Sequence, residues 1–384
     1  MEHFAPHPGS GFEGYYSKFD LPSGGRIALI ICTVPKADKR PHKVSFTYVP
    51  KSTKEHGYFQ RFIWPDEMSM HRTDDGTSFT LEAPGIGHMT VANNSITSYS
   101  IRHEDFTFSG KTTTHVPWST GTDTPEGPLV YLPLPLHWHV HSLGSLCNYN
   151  LSIPSYPHVA SEDKSGTATV HQEKNWANSF PSAHIWVQAR SSHPPSALTS
   201  SPSPSSSTPP YASLCIAGGQ ILGTEAYLLG YRSTTHPSCT PSSPVHELDF
   251  RPPFAMRLLG LSPSLSAVPN WEKRTFTLSA RDWFSRIDVH ATADEGTFFP
   301  LASPFPESHR DNFLAQSFNA EIRVGVYEWV WGDRWWDVRG WWAGSEERTG
   351  AGRWVLREEK RFEGGSLEFG GGYYGWAGTE RRAR

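Results

Sequence analysis

Short runs in which apolar and polar residues alternate recur along most of this chain, while helical spacing is scarce. Alternation marks a strand with one buried face, because successive side chains leave a strand on opposite sides. Residues 27–34, 43–49, 58–64, 78–82, 89–92, 95–101, 106–113 and 183–189 read this way, as do 274–278, 286–291 and 320–327 in the second half. The turn-forming residues Gly, Pro, Asn and Asp punctuate them. This pattern predicts an all-β chain, an antiparallel sandwich or barrel. Asp74-Asp75-Gly76 and Asn93-Asn94 stand where hairpins need residues tolerant of positive φ, and Gly218-Gly219 is predicted as a turn.

From Ser191 to Pro210 the chain is nearly all Ser, Pro and Thr. Such a segment cannot bury enough apolar surface to order itself, so it is predicted as a disordered insertion between a β-rich half at 1–190 and a second at 211–384 that completes the barrel. Farther on comes a dense tryptophan run: Trp329, Trp331, Trp335, Trp336, Trp341, Trp342 and Trp354. Alternation within 326–331 puts Glu328 with Val326 and Val330, opposite Tyr327, Trp329 and Trp331. Leu367-Glu368-Phe369 then leads into Gly370-Gly371-Gly372, where glycines permit a sharp corner or a close backbone approach.

Composition narrows the function. A net charge of -4 gives no basic footprint for nucleic acid or anionic membrane. Aromatics reach 13% while charged residues are 19%, so much planar apolar surface must fill a core or line a site for a greasy ligand. Cys32, Cys147, Cys215 and Cys239 form no C-x-x-C pair and are predicted as buried thiols. Met1 to Gly11 lacks the basic and apolar regions of a signal peptide, and no stretch is apolar enough to span a bilayer as a helix, which predicts a cytoplasmic protein. The sequons at Asn93 and Asn150 are taken as chance.

Three stretches carry candidate chemistry. In Leu136-His137-Trp138-His139-Val140-His141-Ser142, alternation puts the three histidines on one face and Trp138, Val140 and Ser142 on the other, which suits zinc, proton transfer or substrate hydrogen bonding, or plain structure. Glu173-Lys174-Asn175-Trp176 sets a carboxylate and an ammonium among aromatics. The apolar setting would raise the carboxyl pKa while the lysine would lower it, so its protonation state stays open. Phe12-Glu13-Gly14-Tyr15-Tyr16-Ser17-Lys18 offers another carboxylate, two phenols and a lysine in a first strand. The absence of a P-loop, G-x-S-x-G or H-E-x-x-H motif argues against nucleotide-dependent and zincin chemistry.

Taken in order, Phe12 to Lys18, Glu173 to Trp176, Pro181-Ser182, Trp186-Val187-Gln188, Ala217-Gly218-Gly219 and Glu368 to Gly372 resemble the tocopherol cyclase family over nearly the whole chain. The family's F-E-G-W-Y reads Phe12-Glu13-Gly14-Tyr15-Tyr16 here. The resemblance implies a lipocalin-like, cofactor-free β-barrel that closes an oxygen heterocycle. Fungal relatives in secondary metabolism look similar to hetero-Diels–Alder cyclases, which join an ortho-quinone methide to a terpene alkene. Such a closure needs orientation in a dry pocket and a donor that polarises the carbonyl oxygen.

Glu173, Lys174, His137, His139 and Glu13 are therefore the candidate catalytic residues. Tyr15, Tyr16, Trp138, Asn175, Trp176, Trp186, Gln188, Trp329 and Tyr374 are the candidate walls for a terpenoid or prenylated aromatic. No cofactor, metal or nucleic acid is expected. Two rival readings share the sequence: a lipocalin-like carrier that leaves its hydrophobic ligand unchanged, and a zinc-dependent hydratase or lyase built on the histidine strand.

Overall fold

The computed structural model describes residues 3–375 apart from 74–75, 120, 122–123, 179, 192–210, 222, 241–242, 244, 259–261, 263 and 333–351. The Ser/Pro insertion, the aspartates of the Asp74-Asp75-Gly76 turn and Trp335, Trp336, Trp341 and Trp342 lie outside the described residues. The chain is all-β and antiparallel, as alternation predicts. Its described residues divide into two compact units, one drawn from 3–180 and 301–312, the other from 181–191, 211–300 and 313–375.

The first unit's sheet contains β1 (Phe12–Asp20), β2 (Arg26–Thr33), β3 (His42–Val49), β4 (Phe59–Ile63), β5 (Ser69–Arg72), β6 (Phe79–Ala83), β7 (Gly87–Val91), β8 (Thr97–His103), β9 (Phe106–Thr112), β10 (Leu136–Ser152) and β11 (Ser165–Ala177). Its order is β4-β3-β2-β1-β11-β10-β9-β8-β7-β6-β5. One face of each strand feeds a single core: Phe19, Ile27, Leu29, Phe46, Tyr48, Phe106 and Phe108 are all essentially inaccessible to solvent. Phe46 stacks on Phe106 at 4.2 Å, and Phe19 meets Phe108 edge-on at 5.0 Å, geometries that add to plain area burial. At the turn between β7 and β8 it is Ser95, with φ of 64°, that takes the left-handed conformation expected of Asn93-Asn94. Asn94 caps the turn instead, its Oδ1 accepting from Ile96 N at 3.2 Å.

The second sheet's strands are β12 (Ala183–Arg190), β13 (Ala212–Ile221), β14 (Thr224–Ser233), β15 (His246–Phe250), β16 (Met256–Leu258), β17 (Leu265–Asn270), β18 (Thr275–Arg281), β19 (Ser285–Thr292), β20 (Phe298–Phe305), β21 (Ser308–Trp331) and β22 (Gly352–Gly371). The main path runs β15-β14-β13-β12-β22-β21-β19-β18-β17. Ile185, Val187, Leu214, Leu229, Phe276, Ile287, Val324, Leu367 and Phe369 build its core. Both sheets follow one connection scheme: the opening strand sits mid-sheet, the next three run out to one edge, and the last strand returns to pair with the first.

Gly218-Gly219 is not a turn. Both residues lie inside β13, and the turn falls after it, at Gly223 with φ of 78°. The glycines are needed for close approach: a Cβ on Gly219 would stand 2.0 Å from the Ala183 carbonyl oxygen, and one on Gly218 2.3 Å from that of Ala226. The glycine run at the end of β22 does make the expected corner, with Gly371 at φ of 56°. Of the four cysteines, Cys32, Cys147 and Cys215 are buried free thiols and Cys239 is half-buried.

Gly219→Ala is expected to destabilise the protein by roughly 2 kcal/mol or more, since backbone rather than a movable side chain meets the added methyl. Urea denaturation would show a lowered midpoint, whereas Gly223→Ala, with nothing within 4 Å, should cost less.

Candidate functional site

Register decides what gathers on the inner face of the first sheet. Glu13, Tyr15, Ser17 and Phe19 of β1 lie opposite Trp176, Lys174, Gln172 and Val170 of β11. Alternation sends all eight side chains to the core face. The face is apolar at Phe19 and Val170 and grows polar toward Glu13. Midway, Gln172 Nε2 donates to Tyr99 Oη at 2.8 Å and Thr97 Oγ1 at 2.9 Å, and Ser17 Oγ meets Tyr99 Oη at 3.0 Å.

At the polar end Lys174 and Glu13 form an ion pair with side chains 0% and 2% exposed. The Lys174 ammonium also donates to the Ala5 carbonyl and, at 2.7 Å, to His7 Nδ1. Three protons thus meet three acceptors, and the last contact makes His7 the Nε2–H tautomer. Burial pushes the Lys174 pKa down to about 8, against the pull of Glu13. For Glu13, burial pushes upward, but the charge and hydrogen bond of Lys174 and the bond from the His7 backbone N–H at 2.7 Å prevail and hold the carboxyl below its ordinary value.

Aromatic rings enclose the pair. Lys174 Nζ stands 4.9 Å from the Tyr15 ring centre and 5.1 Å from that of Trp176, within cation–π range. Trp176 is stacked between His7 at 4.1 Å and His137 at 4.9 Å. His137 Nδ1 donates to Glu126 Oε2 at 2.9 Å, while Glu126 Oε1 accepts from Trp138 N at 2.6 Å. The segment running into β1 completes the enclosure. Phe4 stacks on His141 at 4.0 Å and meets Tyr15 edge-on at 5.5 Å.

In β10, His137 pairs opposite Trp176 and His139 opposite Lys174, so both face inward as alternation predicts. A bulge then intervenes between Val140 and Ser142, with His141 the extra residue. Ser142 consequently stands opposite Gln172 and does not keep to the face of Trp138 and Val140. His139 and His141 are buried, and burial foremost holds both far below the usual histidine pKa, so they are neutral. Among the described residues, His139 Nδ1, His141 Nε2 and Tyr15 Oη meet no hydrogen-bond partner. The three strand histidines do not converge as metal ligands: His137 is turned to Glu126, and the described group bringing three ligand atoms within 4.8 Å is His103, Glu104 and Asp105.

The other predicted site residues lie elsewhere. Glu173, Asn175, Tyr16 and Trp138 point to the opposite face of the first sheet, so the Glu173–Lys174 neighbourhood is sequential rather than spatial. Glu173 Oε2 accepts from His171 Nε2 at 3.0 Å, and Trp138 meets Trp118 edge-on at 6.0 Å. Gly14 leaves room for Asn175, whose Oδ1 would lie 2.9 Å from an added Cβ. In the second unit, Trp186 and Gln188 are buried on the side of β12 away from its core. Beside them His184 Nε2 meets Glu368 Oε1 at 2.9 Å, and Gln316 Nε2 donates to Glu368 Oε2 at 3.1 Å. Gly370 makes this possible, since any Cβ there would overlap the His184 ring. Trp329 packs on Trp354 at 5.3 Å, and Tyr374 on Trp271 at 4.6 Å in the second core. Sequence reasoning missed Phe4, Ala5, His7, Tyr99 and Glu126. Only the aromatic Phe4 so close to Phe12-Glu13 offered a signal.

No protein-family model matches the chain, and no curated protein matches it. Among solved structures, it is similar to CghA, at 10% identity and a TM-score of 0.49 over 95% of this chain and 92% of that one. It is also similar to kievitone hydratase from Nectria haematococca, at 10% identity and 0.43 over 97% and 92%, and to a putative AttH from Nitrosomonas europaea, at 11% and 0.45 over 96% and 95%. At this identity and overlap the comparisons assign no role to any residue of this chain.

Lys174→Met leaves the Glu13 carboxylate buried without its cation and is expected to cost about 3–5 kcal/mol. In urea denaturation the double variant Glu13→Gln/Lys174→Met should recover much of that loss; strict additivity would show that the two side chains act independently. The buried histidines predict acid lability. Their folded pKa values are depressed, so below 6.5 the unfolded chain binds protons that the folded chain refuses, and stability falls with pH. Melting curves at pH 5 and 7 should differ less for His141→Phe than for the parent.

Proposed function

We propose that this protein is a cofactor-independent cyclase that closes a dihydropyran or chromanol ring between a quinone methide, or a related phenol or quinone, and a terpenoid or prenyl alkene. The reading combines the motif resemblance to tocopherol cyclases with one observation: Lys174 already holds a carbonyl oxygen, that of Ala5, in a dry interior walled by stacked rings. In the proposed complex the substrate carbonyl takes the place of Ala5 O, and its ring takes the place of Phe4 against His141.

Each neighbour then has a task. A protonated Lys174 withdraws electron density from the oxygen heterodiene, lowering the barrier to attack by the alkene, and the rings hold the partners in register. Glu13 keeps the ammonium charged and aimed. His139, neutral and opposite Lys174, contributes a polar edge without a competing charge. Glu173 is left out, because it lies on the other face. When a quinone methide meets an alkene, the new C–C and C–O bonds form from the π electrons of the two reactants, so that closure calls for no redox partner.

The test incubates purified, chelator-treated protein with an ortho-quinone methide precursor and a humulene-type alkene, and products are resolved by chiral chromatography against a protein-free control. One enantiomer in excess over background is expected, with Lys174→Met slower by roughly a hundredfold, the usual loss on removing a preorganised donor. Melting curves check that the variant is folded. Since the Lys174 pKa is about 8, the rate should fall as pH rises through that value. Ligand bound tightly but recovered unchanged would make the protein a carrier.

A further inference from the structure

Residues 3–8 precede β1 and belong to no strand, yet Phe4 and Ala5 are each only 1% exposed. Side chains of the site hold them, rather than a ladder of backbone bonds. Ala5 O and His7 Nδ1 take two of the three Lys174 protons, and His7 N donates to Glu13 Oε1 at 2.7 Å. The His7 ring lies on Trp176, and Phe4 lies among His141, Tyr15 and Phe79. Gly11 anchors the far end, since a Cβ on it would stand 2.9 Å from the Asn178 Cα. Between anchor and buried part, Gly9 is exposed, has φ of 103°, and has nothing within 4 Å of an added Cβ.

The segment matches its surroundings at one end and not at the other. Its Ala5 carbonyl serves the ammonium. Phe4, by contrast, is hydrocarbon set among polar atoms left over: Tyr15 Oη, His139 Nδ1 and His141 Nε2 are buried without a hydrogen-bond partner among the described residues. The ring centres of Tyr15, His139 and His141 lie 5.5, 6.0 and 4.0 Å from that of Phe4. Each buried polar atom left unpaired costs free energy that a partner would return. Departure of the segment would strip Lys174 of two acceptors, so it leaves only in exchange for a molecule that brings an acceptor of its own.

We propose that residues 3–8 are a displaceable plug, turning about Gly9, that stands in for an aromatic carbonyl compound bearing a ring hydroxyl. The ligand's carbonyl oxygen takes over from Ala5 O at Lys174, and its hydroxyl reaches the polar atoms that Phe4 leaves unpaired. This rests on the reading of the Lys174 interior as the reaction site and adds that the closed form is autoinhibited. Apparent affinity is then the intrinsic affinity reduced by the fraction of open molecules. Gly9 helps to set that fraction: an L side chain is strained at its φ and relaxes on opening, so Gly9→Ala favours the open form without altering a group that touches the ligand.

Hydrogen exchange of the full chain, read by mass spectrometry over residues 3–11, tests this. The probe is hydroxychromanone, and the control is chroman, the same bicycle without the carbonyl and hydroxyl. Neither undergoes the cyclisation, so the outcome does not depend on turnover. Saturating hydroxychromanone should speed exchange of the His7 amide and leave β11 unchanged, while chroman should do neither. Gly9→Ala, with a melting curve like the parent's, should exchange faster in this segment without ligand and bind hydroxychromanone about tenfold tighter by calorimetric titration. Hydroxychromanone bound with the segment still protected, equal displacement by chroman, or unchanged affinity in Gly9→Ala would overturn the plug; the first two are read on the parent and need no variant. Absence of hydroxychromanone binding to either protein would overturn it as well, while the cyclase reading stands or falls on its own turnover assay.

Discussion

An ammonium group taken wholly out of water must find a charge and a full set of acceptors, and in the first unit Lys174 sets that demand. Glu13 supplies the charge from the neighbouring strand, His7 and Ala5 supply the remaining acceptors, and Tyr15 and Trp176 offer their ring faces. The segment before β1 is ordered by this need: Ala5 and Phe4 are buried because one feeds the ammonium a carbonyl and the other fills the adjoining space against His141. The same interior keeps His139 and His141 neutral, which underlies the site's expected sensitivity to acid.

A second constraint is steric. Where strands carry large aromatics on one face, the other face must somewhere give way, and glycine supplies the room. Gly219 admits the Ala183 backbone, Gly370 admits the His184 ring that reaches Glu368, and Gly14 admits Asn175. In the second unit Gly325 does the same beside the Tyr327 ring. Glycines that read as turns or flexible points in one dimension are here sites of close contact between neighbouring strands.

Much of the architecture is legible in the order of the residues. The alternating runs at 27–34, 43–49 and 106–113 correspond to β2, β3 and β9, because a half-buried strand writes its two faces into consecutive residues. Glu13, Lys174 and Trp176 are likewise legible as chemically unusual residues, as is the inward aim of His137 and His139. What fails is any inference that treats neighbours in sequence as neighbours in space: Glu173 parts from Lys174, Tyr16 from Tyr15, and the bulge at His141 removes Ser142 from the alternation.

The pattern of residues alone therefore specifies that the chain forms antiparallel strands, and which residues can share a face within each, since both follow from local periodicity. Packing in three dimensions is what brings Glu13 to Lys174 across strands remote in sequence, fills the space beside them with Phe4 and Ala5, sets Glu126 on His137 and places Arg281 opposite Arg286. The reason is physical: register is set by the summed burial of whole strands and by hydrogen bonds between distant segments, and no local stretch of residues contains that sum.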